Sequence, residues 1–168
     1  QRASGAGRHT LPAAVAFGVA VVVGAADKGR VAVVADAVDV AVLETARGGI
    51  IRSGLGFDHC DIGVVMNIAA DHLGLKDVNT LEDLARVKSV VPRSVSKKGY
   101  AVLNAEDPLV YKMKELVDGK VVCFSMDEND PVIKRRAERG RVSCVYENGY
   151  VTILKGKWKV RIEKATNI

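Results

Sequence analysis

Apolar residues along this chain fall into short runs whose period changes from segment to segment. Ile62-Gly63-Val64-Val65-Met66 is continuous and about one strand long, which predicts a strand buried on both faces. Asn67, Asp71 and His72 follow it within one short loop. Open α/β sheets present their ligands at the carboxyl ends of strands, so an amide, a carboxylate and an imidazole at this point mark a candidate site. Before it, residues 38–43 predict a strand with Glu44 at its end, residues 45–49 turn the chain, and 50–55 predict a short helix. After it, 100–103 and 121–124 predict strands, with one helix opening at Asn104-Ala105-Glu106-Asp107-Pro108 and another over 130–139. The tail changes to β-type runs at 142–146, 150–154 and 158–162, and Asn148-Gly149 between the first two predicts a hairpin. The expected fold is α/β: a mostly parallel sheet flanked by helices, followed by an antiparallel β meander.

Thr80 with Asp83 three residues later predicts a capped helix start, Asp being a shorter-armed version of the usual capping-box acid. The helix 81–91 then runs toward Pro92, which should end or kink it. At about 100° per residue, Leu81, Leu84, Ala85, Val91 and Val95 share one side. Lys88 falls among them. A lysine on an apolar face either carries its ammonium out to the surface or lines a cleft, where it needs a partner or a lowered pKa.

Residues 1–36 read differently, being almost wholly Ala, Val, Gly and Arg, with 31–35 the one strand-like run. The apolar run 11–26 follows Arg2 and Arg8 like a signal-peptide core. It is shorter than the roughly 20 residues that span a bilayer and contains Gly18 and Gly24, so a packed helix or strand is expected and no membrane role. The 168 residues make one domain or a piece of a larger protein, and 48% apolar residues with 5% aromatics favour aliphatic packing between helices and a sheet. A net charge of +5 without a long basic stripe or interleaved aromatics suits anionic small molecules rather than nucleic acid. Cys60, Cys123 and Cys144 are odd in number and widely spaced, which argues for a reducing, cytoplasmic compartment and against a disulfide scaffold or zinc site.

Three stretches together resemble a known family: VLETARGGIIRSGLGFDHCDIGVVMNIAADHLGL, NTLEDLARVKSVV and YAVLNAEDPLV. They are similar to the Mur-ligase-like part of cyanophycin synthetases, strongly over 38 to about 125 and more loosely through the tail. Muramyl-peptide ligases and folylpolyglutamate synthetases share the acid, the Asn/Asp-His loop and the lysine, but not ETARGG. The resemblance divides the chain into an unmatched segment, 1–36, and a partial ATP-binding domain, 37–168.

That resemblance implies a ligase that uses ATP to activate a carboxylate as an acyl phosphate, which an amine attacks to form an amide. The amine would be arginine and the acceptor an aspartate side chain in a polymer primer, with the full-length family implying a homo-oligomer. Glu44 and His72 would hold Mg²⁺, Asn67 and Asp71 would shape the nucleotide loop, and Lys88 matches a position that Mur ligases often carbamylate. Arg47, Gly48 and Gly49 can bind phosphate at a helix start; the plainer alternative is a Gly-Gly turn with a solvated arginine. Asn104 and Asp107 can lie near the nucleotide, although Asp107-Pro108 is also a good helix start, and that structural reading is preferred. The basic residues of 134–141 read as a solvated face. The family pattern is broken in one place above all: no Gly-Lys-Ser/Thr phosphate loop occurs in the chain. The expectation is therefore a ligase fragment carrying the metal-and-lysine half of the site and inactive alone, with a non-catalytic remnant as the alternative.

Overall fold

Eight strands, hydrogen-bonded in one sheet, organise the described residues of the computed structural model, which are 18–23, 40–70, 73–74 and 78–167. In chain order they are β1 (Gly18–Val23), β2 (Val40–Thr45), β3 (Cys60–Val65), β4 (Val95–Asn104), β5 (Lys120–Ser125), β6 (Ser143–Glu147), β7 (Tyr150–Lys155) and β8 (Trp158–Lys164). Across the sheet the order is β2-β1-β3-β4-β5-β6-β7-β8. Strands β3 to β6 pair parallel, and β1 pairs antiparallel with both β2 and β3. Strand β2 therefore points the same way as β3–β6, and the carboxyl ends of five strands share one edge. Strands β7 and β8 close the other side as the expected antiparallel meander. The β6–β7 turn needs positive φ at two adjacent positions, and Asn148 (50°) with Gly149 (84°) supplies it.

Apart from β4, the expected strands are present within a residue or two, except 31–35, which lies outside the described residues. Of the run 11–26, residues 18–23 form β1 and the rest lie outside the described residues. No helix among the described residues is long and apolar enough to cross a membrane. Strand β4 begins five residues earlier than expected. The chain between Val95 and Tyr100 departs from regular pairing, Cys60 being opposite Val95 and Ile62 opposite Tyr100.

Five helices are described: α1 (Arg47–Ser53), α2 (Leu81–Lys88), α3 (Val90–Arg93), α4 (Pro108–Lys112) and α5 (Pro131–Glu138), with a 3-10 turn over Met113–Leu116. The main core lies where α2, α3 and α4 meet β3 and β4, around Val65, Leu84, Val91, Val95, Leu103 and Val110. A second cluster, Cys123, Ile133 and Val145, seats α5 on β5 and β6. Gly63 shows how close the first layer sits. A Cβ there would lie 2.8 Å from Val95 Cγ2 and 3.1 Å from the Val91 carbonyl oxygen, so only a bare backbone lets α3 close over β3.

Thr80 caps α2 as expected: its hydroxyl accepts the Asp83 N–H at 3.0 Å, while the Asp83 carboxylate accepts the Thr80 N–H at 3.2 Å. The helix breaks at Ser89, three residues before the proline rather than at it. Pro92 has no N–H to give the Lys88 carbonyl, and its ring crowds that carbonyl, so the ladder fails one turn upstream. The Ser89 hydroxyl donates to the Arg86 carbonyl at 2.7 Å across the break.

Two outcomes are expected. Gly63→Ala should destabilise the fold by about 1–3 kcal/mol in urea titration, the range for overpacking a filled core. The Asp83 carboxyl is held below its ordinary value of 3.8, chiefly by the Thr80 hydroxyl and then by the Asn79 N–H. Its stabilising effect is therefore complete above the ordinary value and lost as pH falls through the lowered one. A stability gap between wild type and Asp83→Asn should be present at neutral pH and close at the acid end.

Candidate functional site

The carboxyl edge of the sheet gathers most of the sequence-predicted site. Lys88, in the last turn of α2, is 2% exposed, and Leu84 and Val91 on the same side of its segment are buried with it. The inward orientation expected from the helical period is observed, and the surface-reaching alternative is not. A buried amine must be hydrogen-bonded to be tolerated. Lys88 Nζ donates to the Asn67 carbonyl oxygen at 3.1 Å, two residues past the end of β3.

The loop that receives this amine is fastened from the end of β4 and the start of α4. Asn104 Nδ2 donates to the Met66 carbonyl at 2.9 Å, and Asp107 Oδ2 accepts the Ile68 N–H at 2.6 Å. The other Asp107 oxygen caps α4, accepting the Leu109 N–H at 2.9 Å and the Val110 N–H at 3.1 Å. Asp107-Pro108 is thus the helix start expected from sequence, and the same carboxylate also holds the candidate loop. Farther along the edge, Glu106 Oε1 accepts the Ser125 hydroxyl at 2.7 Å and the Met126 N–H. No local pattern signals Glu106 or Ser125, because their pairing depends on β4 lying beside β5.

Asp71 and His72 lie outside the described residues. Glu44 is exposed in β2, and strand register fixes its side. Glu44 lies opposite Val19 and Val19 opposite Val64, whereas Thr45 is level, through Gly18, with Val65. Cross-strand neighbours share a face, and Val65 faces the helices, in the core with Leu84 and Val91. Thr45 is therefore on the side of Lys88, and Glu44 faces the other way. The two reach the same edge from opposite faces of the sheet.

Arg47, Gly48 and Gly49 are helical rather than a preceding turn, since α1 begins at Arg47 and ends at Ser53. The Ala46 carbonyl accepts both the Gly49 N–H at 3.0 Å and the Ile50 N–H at 3.1 Å, which starts the helix earlier than the residue types suggest. Two adjacent glycines in a helix cost about 1 kcal/mol each relative to alanine. No neighbouring atom among the described residues requires them here, because a Cβ on either would meet none of those within 4 Å. Among the described residues no group of three or more His, Cys, Asp or Glu side chains could hold a metal ion. The thiols of Cys60, Cys123 and Cys144 are raised above their ordinary value chiefly by burial, which suits packing rather than nucleophilic work.

Removing the Asp107 carboxylate strips a partner from Ile68 and uncaps α4 at once. Asp107→Ala should cost about 2–4 kcal/mol in chemical denaturation, the sum of a lost cap and a stranded backbone donor.

Comparison with known proteins places the chain in a family. A family model described as the Mur ligase middle domain matches residues 29–162. The chain is 58% identical over 131 residues to a cyanophycin synthetase of Synechocystis sp., covering 78% of the chain and 15% of that relative. It is 52% identical to the cyanophycin synthetase of Trichormus variabilis, covering 78% of the chain and 14% of the relative. A UDP-N-acetylmuramoyl-tripeptide--D-alanyl-D-alanine ligase of Mycobacterium tuberculosis is 39% identical over 42% of the chain and 14% of that protein. The chain thus spans about 15% of the length of the cyanophycin synthetases it matches. With most of its length matched and its strands and helices in the order described, the chain belongs to the Mur ligase middle domain family.

Proposed function

We propose that this chain is the nucleotide-facing part of an ATP-dependent amide ligase, which joins arginine to aspartate side-chain carboxylates of a polymer through an acyl phosphate. The observation that carries the reading is the buried Lys88 amine held against the Asn67 carbonyl at the carboxyl end of β3. A charge-bearing group in a core costs desolvation, so its placement at a strand end points to chemistry and not to stability. The similarity to cyanophycin synthetases and to a muramyl-tripeptide ligase supports the ligase class, and the amine and polymer follow from the family resemblance.

Each residue then has a task. Lys88 fixes the loop after β3 and brings positive charge to the edge where anions would meet. Asn67, with Asp71 beyond it, shapes the wall of the nucleotide site. Gly48 and Gly49 leave the start of α1 open enough for a phosphate to approach the backbone, with Arg47 as its counter-charge. The donor chemistry fits Mg²⁺, which takes one or two carboxylates and keeps several waters: Glu44 is an exposed carboxylate at the strand end, and His72 would join it. When bound, the ion would offset the repulsion between the phosphate and the carboxylate it activates. Because Glu44 and Lys88 approach from opposite faces, the groups they serve would meet beyond the strand ends.

One observation favours a second reading, a binding module without turnover: the chain contains no Gly-Lys-Ser/Thr run. Calorimetric titration of the 168-residue chain with Mg-ATP, followed by an assay of arginine- and primer-dependent ADP release, separates them. Saturable Mg-ATP binding with ADP release supports the ligase; binding without ADP release, or no binding at millimolar concentration, supports the second reading. Lys88→Met, close in volume and free of the charge, should keep stability within about 1.5 kcal/mol and abolish any ADP release.

A further inference from the structure

On the edge opposite the candidate site, four arginines and a lysine converge on one notch. It is a cleft of about 360 Å³ whose lining includes Tyr111, Lys114, Arg135, Arg136, Arg139 and Arg141, together with Val121, and includes no carboxylate. We propose that this notch binds a compact multivalent oxyanion, bearing phosphate or carboxylate groups.

Two of the cations are held in place. Arg136 Nη2 donates to the Val121 carbonyl at 2.6 Å, and Lys114 Nζ sits 3.4 Å from the centre of the Tyr111 ring. The buried Arg136 Nε–H has no acceptor among the described residues. None of the five cations makes an ion pair among the described residues; the two pairs there are Arg86–Asp83 and Lys159–Glu147. The negative end of α5 accounts for Arg135 and Arg136, which lie in its last turn. It does not account for Lys114, which comes from the 3-10 turn after α4, or for Arg141, which lies beyond α5. Like charges brought together from separate elements repel, and a bound anion relieves that repulsion. Guanidinium groups suit this ligand because their planar forks pair bidentately with phosphate or carboxylate oxygens.

The notch is also separate from the nucleotide edge. Val121 is the second residue of β5 and Ser125 the last, so about 13 Å of strand lies between them. An anion here would not compete for the site at Asn67 and Lys88.

The test is calorimetric titration of the whole chain with inorganic pyrophosphate and, separately, with citrate, at one ionic strength. One saturable site for either anion is expected, weakened about tenfold or more in the double variant Arg136→Gln/Arg139→Gln. The control Lys155→Gln/Lys157→Gln, which removes equal charge around the β7–β8 turn, should leave affinity unchanged. Binding of pyrophosphate alone assigns a phosphate ligand, binding of citrate alone a polycarboxylate, and mutual competition a site for both. Because Arg136 also bonds to the fold, Arg139→Gln alone, at an exposed position, should weaken binding at least about threefold. No saturable binding up to the order of 10 mM, or equal weakening in both double variants, overturns the proposal.

Discussion

A buried amine has to find an oxygen, and the architecture of the candidate edge follows from how Lys88 does so. Its helix is placed by the capping box at Thr80 and Asp83 and by the break at Ser89, so that the last turn of α2 ends over β3. Its acceptor, the Asn67 carbonyl, is placed by Asn104 at the end of β4 and Asp107 at the start of α4. Two rigid supports therefore meet at one hydrogen bond. Loss of either would take the Asn67 carbonyl away from the buried amine, and a buried polar group that loses a partner costs about 1–3 kcal/mol.

Close backbone approach makes this geometry possible. Gly63 lets α3 settle directly on β3, which sets the height of the helix layer above the sheet. The parallel run β3–β6 then brings successive strand ends to one line, and the loops beyond them are tied laterally by Asn104, Asp107 and the Glu106–Ser125 pair. Strand β1 interrupts the common direction between β2 and β3. Its insertion leaves β2 co-directional with the parallel set, and so leaves Glu44 and the start of α1 at the same edge as Asn67.

Charge is distributed by edge. The carboxyl edge carries Glu44, Glu106 and Asp107 with the buried Lys88, a mixed set that can serve both a cation and an anion. The opposite edge carries the cationic notch between the end of α4, the start of β5 and the end of α5. Helix polarity contributes to the notch, since the last turn of α5, where cations are favoured, carries Arg135 and Arg136.

What the amino-acid order determined by itself is what neighbours within a few residues decide. The β6–β7 hairpin, the caps at Thr80 and Asp107, and the inward aim of Lys88 depend on local hydrogen bonds and on the helical or strand period, so they are legible in sequence. Even there Pro92 misled by a turn, because its effect falls on the carbonyl four residues back. Only tertiary structure decided which carbonyl Lys88 meets, that Asp107 works on two segments, that Glu106 holds Ser125, and that Glu44 and Lys88 occupy opposite faces. Each of these depends on the register between strands and on helix height above the sheet, set by packing between residues that are tens of positions apart. The gathering of Lys114 with Arg141 is of the same kind: a basic run is visible in sequence, but its closure into a notch requires α4 and α5 to end side by side.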